Sequence, residues 1–254
     1  MRSLTVRFIW IFALVFALAL NTLAIVLPIN GMSTEQLSDN YPSPFTPIGF
    51  TFSIWSVIYS ALIIMAVYQF FSKQNSALAQ SDKWIISNLF ANAAWILAWH
   101  YEFLWVALAI MLFLLFTLFK VYQAIESYRF ELGKVARYLI KVPISLYIGW
   151  ISVATLANIS ILQTAYQADN VWLGFEMWTF IKLSVAGTLA IAMIFKKDYV
   201  YASVIIWAAF GISQNHVSGS AINTAASFLM MLILFVAVYR IGASAVLTLK
   251  KYRT

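Results

Sequence analysis

Four side chains at helical spacing, Asn88, Asn92, Trp95 and Trp99, fall on one face of an apolar stretch. A second apolar stretch carries Trp150, Thr155 and Asn158. Amides beside indoles can do two things in an apolar medium. They can hydrogen-bond across helices and lock a bundle, because lipid offers no partner to a buried amide. They can also orient the polar edge of a ligand in an otherwise apolar pocket. Both uses stay open, and one does not exclude the other.

Lys182 is the one ionisable residue near the middle of an apolar stretch. An amine at that depth is a functional candidate. It could serve as a proton or ion relay or as the counter-ion of an acidic ligand. It could equally snorkel, or pair with a carbonyl or carboxylate of another helix. Glu176 is six residues away on the same stretch, on a different face, so a direct pair is not expected. His100 and His216 form no metal-ligand spacing, and the sequence has no cysteine. No metal site and no cofactor are therefore expected. No phosphate loop, Gly-x-Ser-x-Gly or His-Glu-x-x-His is present, and no nucleophile stands beside a base. No catalytic residue is assigned, and an enzyme is the less favoured class.

The elements that must position these residues follow from composition. Of 254 residues, 63% are apolar and 10% charged, with a mean hydropathy of +0.86. A soluble domain carries about 25% charged residues. So few charges cannot coat a water-facing surface, whereas lipid can solvate an apolar one. Eight stretches are long or apolar enough to cross a bilayer, over 8–29, 48–71, 84–101, 103–123, 139–164, 172–195, 199–214 and 222–247. The expected fold is all-α: a polytopic membrane bundle of about eight transmembrane helices.

Charge alternates between the stretches. Lys and Arg gather in the N-terminal tail (Arg2, Arg7), after the second stretch (Lys73, Lys83) and after the fourth (Lys120, Arg129, Lys134, Arg137, Lys141). They recur after the sixth (Lys196, Lys197) and in the C-terminal tail (Lys250, Lys251, Arg253). The intervening loops hold Glu35, Asp39, Glu102, Asp169 and His216, and no Lys or Arg. The positive-inside rule is then met at every loop, with both termini cytoplasmic. The net charge of +7 reflects this topology and not a nucleic-acid partner. The first stretch begins like a signal peptide, but its apolar run of about 22 residues exceeds a usual signal core, so an uncleaved helix is expected. Trp10, Trp84, Trp105 and Trp172 fall at stretch ends and read as interface anchors.

Between the first two stretches lies Asn40-Tyr-Pro-Ser-Pro-Phe-Thr-Pro-Ile-Gly-Phe50, with Pro42, Pro44 and Pro47. Prolines stiffen this loop and bar a regular helix until about Pro47. A rigid connector and a lid over a cavity fit equally well.

Three motifs, in order, resemble those of the TspO/MBR family, the tryptophan-rich sensory proteins related to the peripheral benzodiazepine receptor. They are Trp55-Ser-Val-Ile-Tyr59 after the Pro-rich loop, Asn92-Ala-Ala-Trp95, and Trp150-Ile-Ser-Val-Ala154-Thr-Leu-Ala-Asn158. The likeness runs over roughly residues 8–165. Ala91 and Ala157 stand where the family has Leu before Asn, and no Trp precedes Trp55 in the loop. The chain looks like the longer bacterial branch. The resemblance implies a five-helix core over 1–165, with three additional transmembrane helices over 166–254. It implies a binding or sensory protein of a bacterial plasma membrane. The implied ligand is apolar, tetrapyrrole-like (porphyrin or haem) or sterol- and lipid-like, lined by Trp55, Tyr59, Asn92, Trp95, Trp150 and Asn158. The partners are then the lipid bilayer and that small molecule, with a homodimer left open. The alternative is a small-solute or ion transporter using Lys182.

Overall fold

The computed structural model describes residues 3–27, 29–72, 76–168 and 173–251, without the side chains of Glu35 and of 245–251. Arg2, Lys73, Asp169, Trp172 and Arg253, and the side chains of Lys250 and Lys251, lie outside the described residues.

The described residues form helices and turns. The helices are α1 (Leu4–Val26), α2 (Thr34–Asp39), α3 (Ile54–Phe71), α4 (Ser76–His100), α5 (Leu104–Ser127), α6 (Lys134–Ala165), α7 (Phe175–Phe195), α8 (Tyr199–Gln214) and α9 (Ala221–Lys251). Each of the eight expected stretches coincides with a helix, and α2 is the extra one. By length and composition six of the helical segments can cross a membrane: α1, α3 with its leading turn, α5, α6, α7 and the first part of α9. α4 is long enough but carries Asp82, Lys83 and several amides, and α8 has only 16 residues.

Local signals explain the helix starts. The Ser3 hydroxyl accepts the Val6 N–H at 3.2 Å, and Asp198 Oδ1 accepts the Tyr201 N–H at 3.1 Å. Ser33 and Gln36 form a reciprocal capping box that starts α2. The second expected stretch, set to begin near Pro47, instead opens with a 3-10 turn over Gly49–Ser53, and regular helix starts at Ile54. The backbone just before it is engaged elsewhere: Ile48 N–H and Thr51 C=O both bond to α8 residues.

The chain divides into two units, residues 1–43 with 52–168, and residues 44–51 with 169–254. In the first, α1 packs on α3 and α4, α4 on α5, α5 on α6, and α6 on α3. These pairings close a ring of five helices. Its interior holds Trp10, Ile58, Leu62, Met65, Leu89, Met111, Leu114 and Tyr147. Phe8, Phe12, Phe113 and Phe116 face outward, as expected where the outer solvent is lipid. Trp10 was expected at an interface. It is instead fully buried on the inner face of α1, beside Ala13, Leu14 and Ala17. Small residues on that face let α1 approach closely, and the indole fills the space.

In the second unit α7, α8 and α9 pack against one another. A Cβ added at Gly187 would stand 2.4 Å from Leu229 Cδ1, so this glycine sets the close approach of α7 and α9.

Candidate functional site

Within the five-helix ring, α3 and α6 bring three of the resemblance residues together as rings. Trp55 stacks on Tyr59, one turn further along α3, with centroids 5.2 Å apart and planes 19° apart. Trp150 of α6 meets Trp55 edge to face at 6.3 Å, and Phe52 meets Trp150 in the same way at 5.9 Å. Tyr147, one turn before Trp150, adds a second edge contact to Trp55 at 5.9 Å.

α4 supplies the amide. Asn92 Oδ1 accepts from Asn21 Nδ2 of α1 at 2.9 Å and from the Tyr59 hydroxyl at 3.4 Å. One turn on, Trp95 Nε1 donates to Asn158 Oδ1 of α6 at 3.4 Å, and Asn158 Nδ2 donates to the Ala154 carbonyl at 2.9 Å. Trp95 stacks on Trp99, centroids 5.6 Å apart. The six residues thus form two linked groups. Trp55, Tyr59, Trp150 and Asn92 gather around one indole, and Trp95 with Asn158 form a neighbouring bonded pair.

Around the same indole Trp150 Nε1 is buried without a hydrogen-bond partner, and Asn92 Nδ2 and Tyr147 Oη face each other without completing a well-formed hydrogen bond. An orphaned buried polar group costs about 1–3 kcal/mol. All three can donate, so the arrangement suits a molecule that presents acceptor atoms to an aromatic surface. Tyr147, Asn21 and Phe52 belong to this site and were not singled out in the sequence. For Tyr147 a signal existed, because it stands three residues before Trp150 on one helix face.

Other candidates have structural roles. Asn88 Nδ2 donates to the Leu114 carbonyl at 3.0 Å and to Thr117 Oγ1 at 2.8 Å, tying α4 to α5. Thr155 bonds back to Ile151 of its own helix. His100 bonds Ile29 O through Nδ1 and Thr34 Oγ1 through Nε2, both at 3.0 Å, and holds the loop after α1 against the end of α4. In the same region the Tyr41 hydroxyl donates to Glu102 Oε2 at 2.5 Å. That bond, with partial burial and the nearby carboxylate charge, pushes the tyrosine pKa up to about 12. Among the described residues no group of three His, Asp or Glu side chains could hold a metal ion.

In the second unit Lys182 is buried on α7, while Glu176 is exposed in the first turn of that helix. The Pro-rich segment 44–51 is fastened to the second half of α8 and the turn after it. His216 Nε2 donates to Pro44 O at 2.8 Å, Asn215 Nδ2 to Thr46 O at 2.9 Å, and Trp207 Nε1 to Thr51 O at 2.9 Å. Ile48 N–H donates to Gly211 O at 3.1 Å.

Among the described residues, an all-helical fold with outward apolar faces and six helical segments fit to cross a bilayer defines a polytopic integral membrane bundle, with lipid as its surroundings. A family model described as TSPO-like protein matches residues 7–239, and the chain belongs to that family. The match runs through α7 and α8 and into α9. It places the chain among membrane binding and sensory proteins. No curated protein and no solved structure matches it.

Proposed function

We propose that the aromatic and amide cluster around Trp55 binds an apolar, planar ligand of the tetrapyrrole type, with its acceptor groups turned toward Asn92, Tyr147 and Trp150. The observation that carries this reading is a set of three buried donors around one indole, none in a well-formed hydrogen bond: Trp150 Nε1 is unpartnered, and Asn92 Nδ2 and Tyr147 Oη have only each other. Native interiors leave few such groups, and a bound acceptor relieves their cost. Aromatic faces supply stacking area for a macrocycle. A sterol or other lipid-like ligand offers fewer acceptors and uses the donors less fully. The Lys- and Arg-rich loops support a cytoplasmic side for both termini, in keeping with the bacterial plasma membrane that the resemblance implies.

Titration of the purified protein with protoporphyrin IX, followed by tryptophan fluorescence and corrected with denatured protein, tests it. Saturable quenching is expected, with affinity about tenfold weaker in Trp55→Phe. Non-saturable quenching, or equal affinity in Trp55→Phe and Asn92→Ala, removes the tetrapyrrole assignment.

A further inference from the structure

The α4–α5 seam carries two features that the Trp55 cluster does not use. At the end where α4 begins and α5 finishes is a cavity of about 640 Å³ lined by Gln80, Trp84, Lys120, Gln123 and Ser127. Further along the same two helices is an apolar groove of about 510 Å³, lined by Ala91, Ala94, Ala109, Ile110 and Phe113. The spacing makes them parts of one stripe. Residues 80, 84, 91 and 94 recur at three-, four- and seven-residue intervals on α4, as do 127, 123, 120, 113 and 109 on α5. The Trp84 and Phe116 rings, edge to face at 5.7 Å, sit between the two features.

The polar end is positively charged. Lys83 Nζ stands over the Trp84 ring at 4.8 Å from its centroid, and Lys120 Nζ over the Phe116 ring at 5.5 Å. The one acid in the lining, Glu126, is engaged by Lys141 at 2.6 Å and Arg129 at 3.7 Å. Its charge is therefore compensated from outside the cavity, which keeps the positive charge of Lys120, with Lys83 next to the lining residue Trp84. Asp82, next to Lys83, is buried.

The dimensions fit a lipid. From Trp84 to Ala94 the helix rises ~15 Å, and half of a ~30 Å hydrocarbon core is the same length. Phe113 and Phe116 are 43% and 46% exposed, so the stripe opens sideways to the bilayer.

We propose that this seam binds one anionic phospholipid, its phosphate in the cavity beside Lys83 and Lys120 and one acyl chain along Ala91, Ala94 and Phe113. The lysines recognise charge, as basic pockets at helix ends do for acidic headgroups. Trp84 and Gln80 mark the interface level, and the small side chains of α4 leave room for the chain. A free phosphate would satisfy the lysines but leave the groove unused.

Native mass spectrometry of the delipidated full chain tests the assignment, with phosphatidylglycerol and phosphatidylcholine of matched acyl chains titrated separately. One phosphatidylglycerol should bind in preference to phosphatidylcholine. Lys83→Gln with Lys120→Gln should weaken phosphatidylglycerol about tenfold and erase the preference. Ala94→Phe, which fills the groove, should weaken both lipids. Inorganic phosphate should leave the bound lipid in place. Equal binding of the two lipids, an unchanged affinity in the double lysine variant, or displacement by inorganic phosphate overturns the proposal. The lysine variants change surface side chains only, so their melting temperature should match the parent and keep the result readable if Ala94→Phe fails to fold.

Discussion

Trp207 donates its indole N–H to the carbonyl of Thr51 at 2.9 Å, and the next residue, Phe52, sets its ring against Trp150 at 5.9 Å. The bond to α8 belongs to one unit of the chain and the ring contact to the other. Gly211 makes the first possible. A Cβ there would fall 2.0 Å from Thr51 Oγ1 and 2.9 Å from Pro47 Cβ. Gly211→Ala must displace the segment, at a cost of about 1–3 kcal/mol. It should lower the melting temperature in detergent and speed amide exchange at Ile48, whose N–H is bonded to Gly211 O. Unaltered exchange at Ile48 would show that the segment is held without this contact.

Asn88 separates locking from binding. Its amide joins α4 to α5 through Leu114 O and Thr117 Oγ1, away from the Trp55 rings. Asn88→Ala should destabilise by about 0.6–2 kcal/mol, the range for interhelical hydrogen bonds in membranes. Affinity for protoporphyrin IX should stay at the parent value. A loss of affinity larger than the loss of stability would bring Asn88 into the binding site.

Tyr41 and Glu102 give a pH prediction outside the membrane-spanning segments. The tyrosine pKa is raised from its ordinary 10.0 to about 12, first by the hydrogen bond to Glu102. A raised acid favours the folded state while protonated. The contact's contribution is complete below pH 10 and is lost as pH climbs through about 12. Phenolate absorbance should show a titration step near 12 that is missing from Tyr41→Phe and shifts back toward 10 in Glu102→Gln. If Glu102→Gln leaves the late step in place, the carboxylate is not its cause.

Much of this fold is legible in the sequence because membrane helices announce themselves twice. Apolar length gives six of the helical segments outright, and the alternation of Lys and Arg is the separate signal on which the eight-stretch expectation rests. α2 escapes because six residues carry no periodicity, although Ser33 and Gln36 spell a capping box. Trp10 misleads because an indole near a helix end has the same sequence signature whether it faces headgroups or the core. The anchoring of 44–51 is the least legible feature. Its acceptors are the carbonyls of Pro44, Thr46 and Thr51, and a carbonyl is present at every residue.

Tyr147 gives the sharpest test of the site, because stability and affinity should respond to the loss of one atom by different amounts. Its hydroxyl is buried among the rings around Trp55, with only the Asn92 amide beside it and no well-formed hydrogen bond. Tyr147→Phe keeps the ring and its edge contact while removing that oxygen. In the ligand-free protein the change removes only a poorly formed contact with Asn92, so stability should stay within about 0.5 kcal/mol of the parent. With ligand bound, the same change removes a hydrogen bond, and affinity for protoporphyrin IX should fall about fivefold. A packing role for the hydroxyl predicts the reverse: lower stability with unchanged affinity. Thermal melting and fluorescence titration on one preparation therefore decide between a tyrosine that fills space and one that meets a ligand.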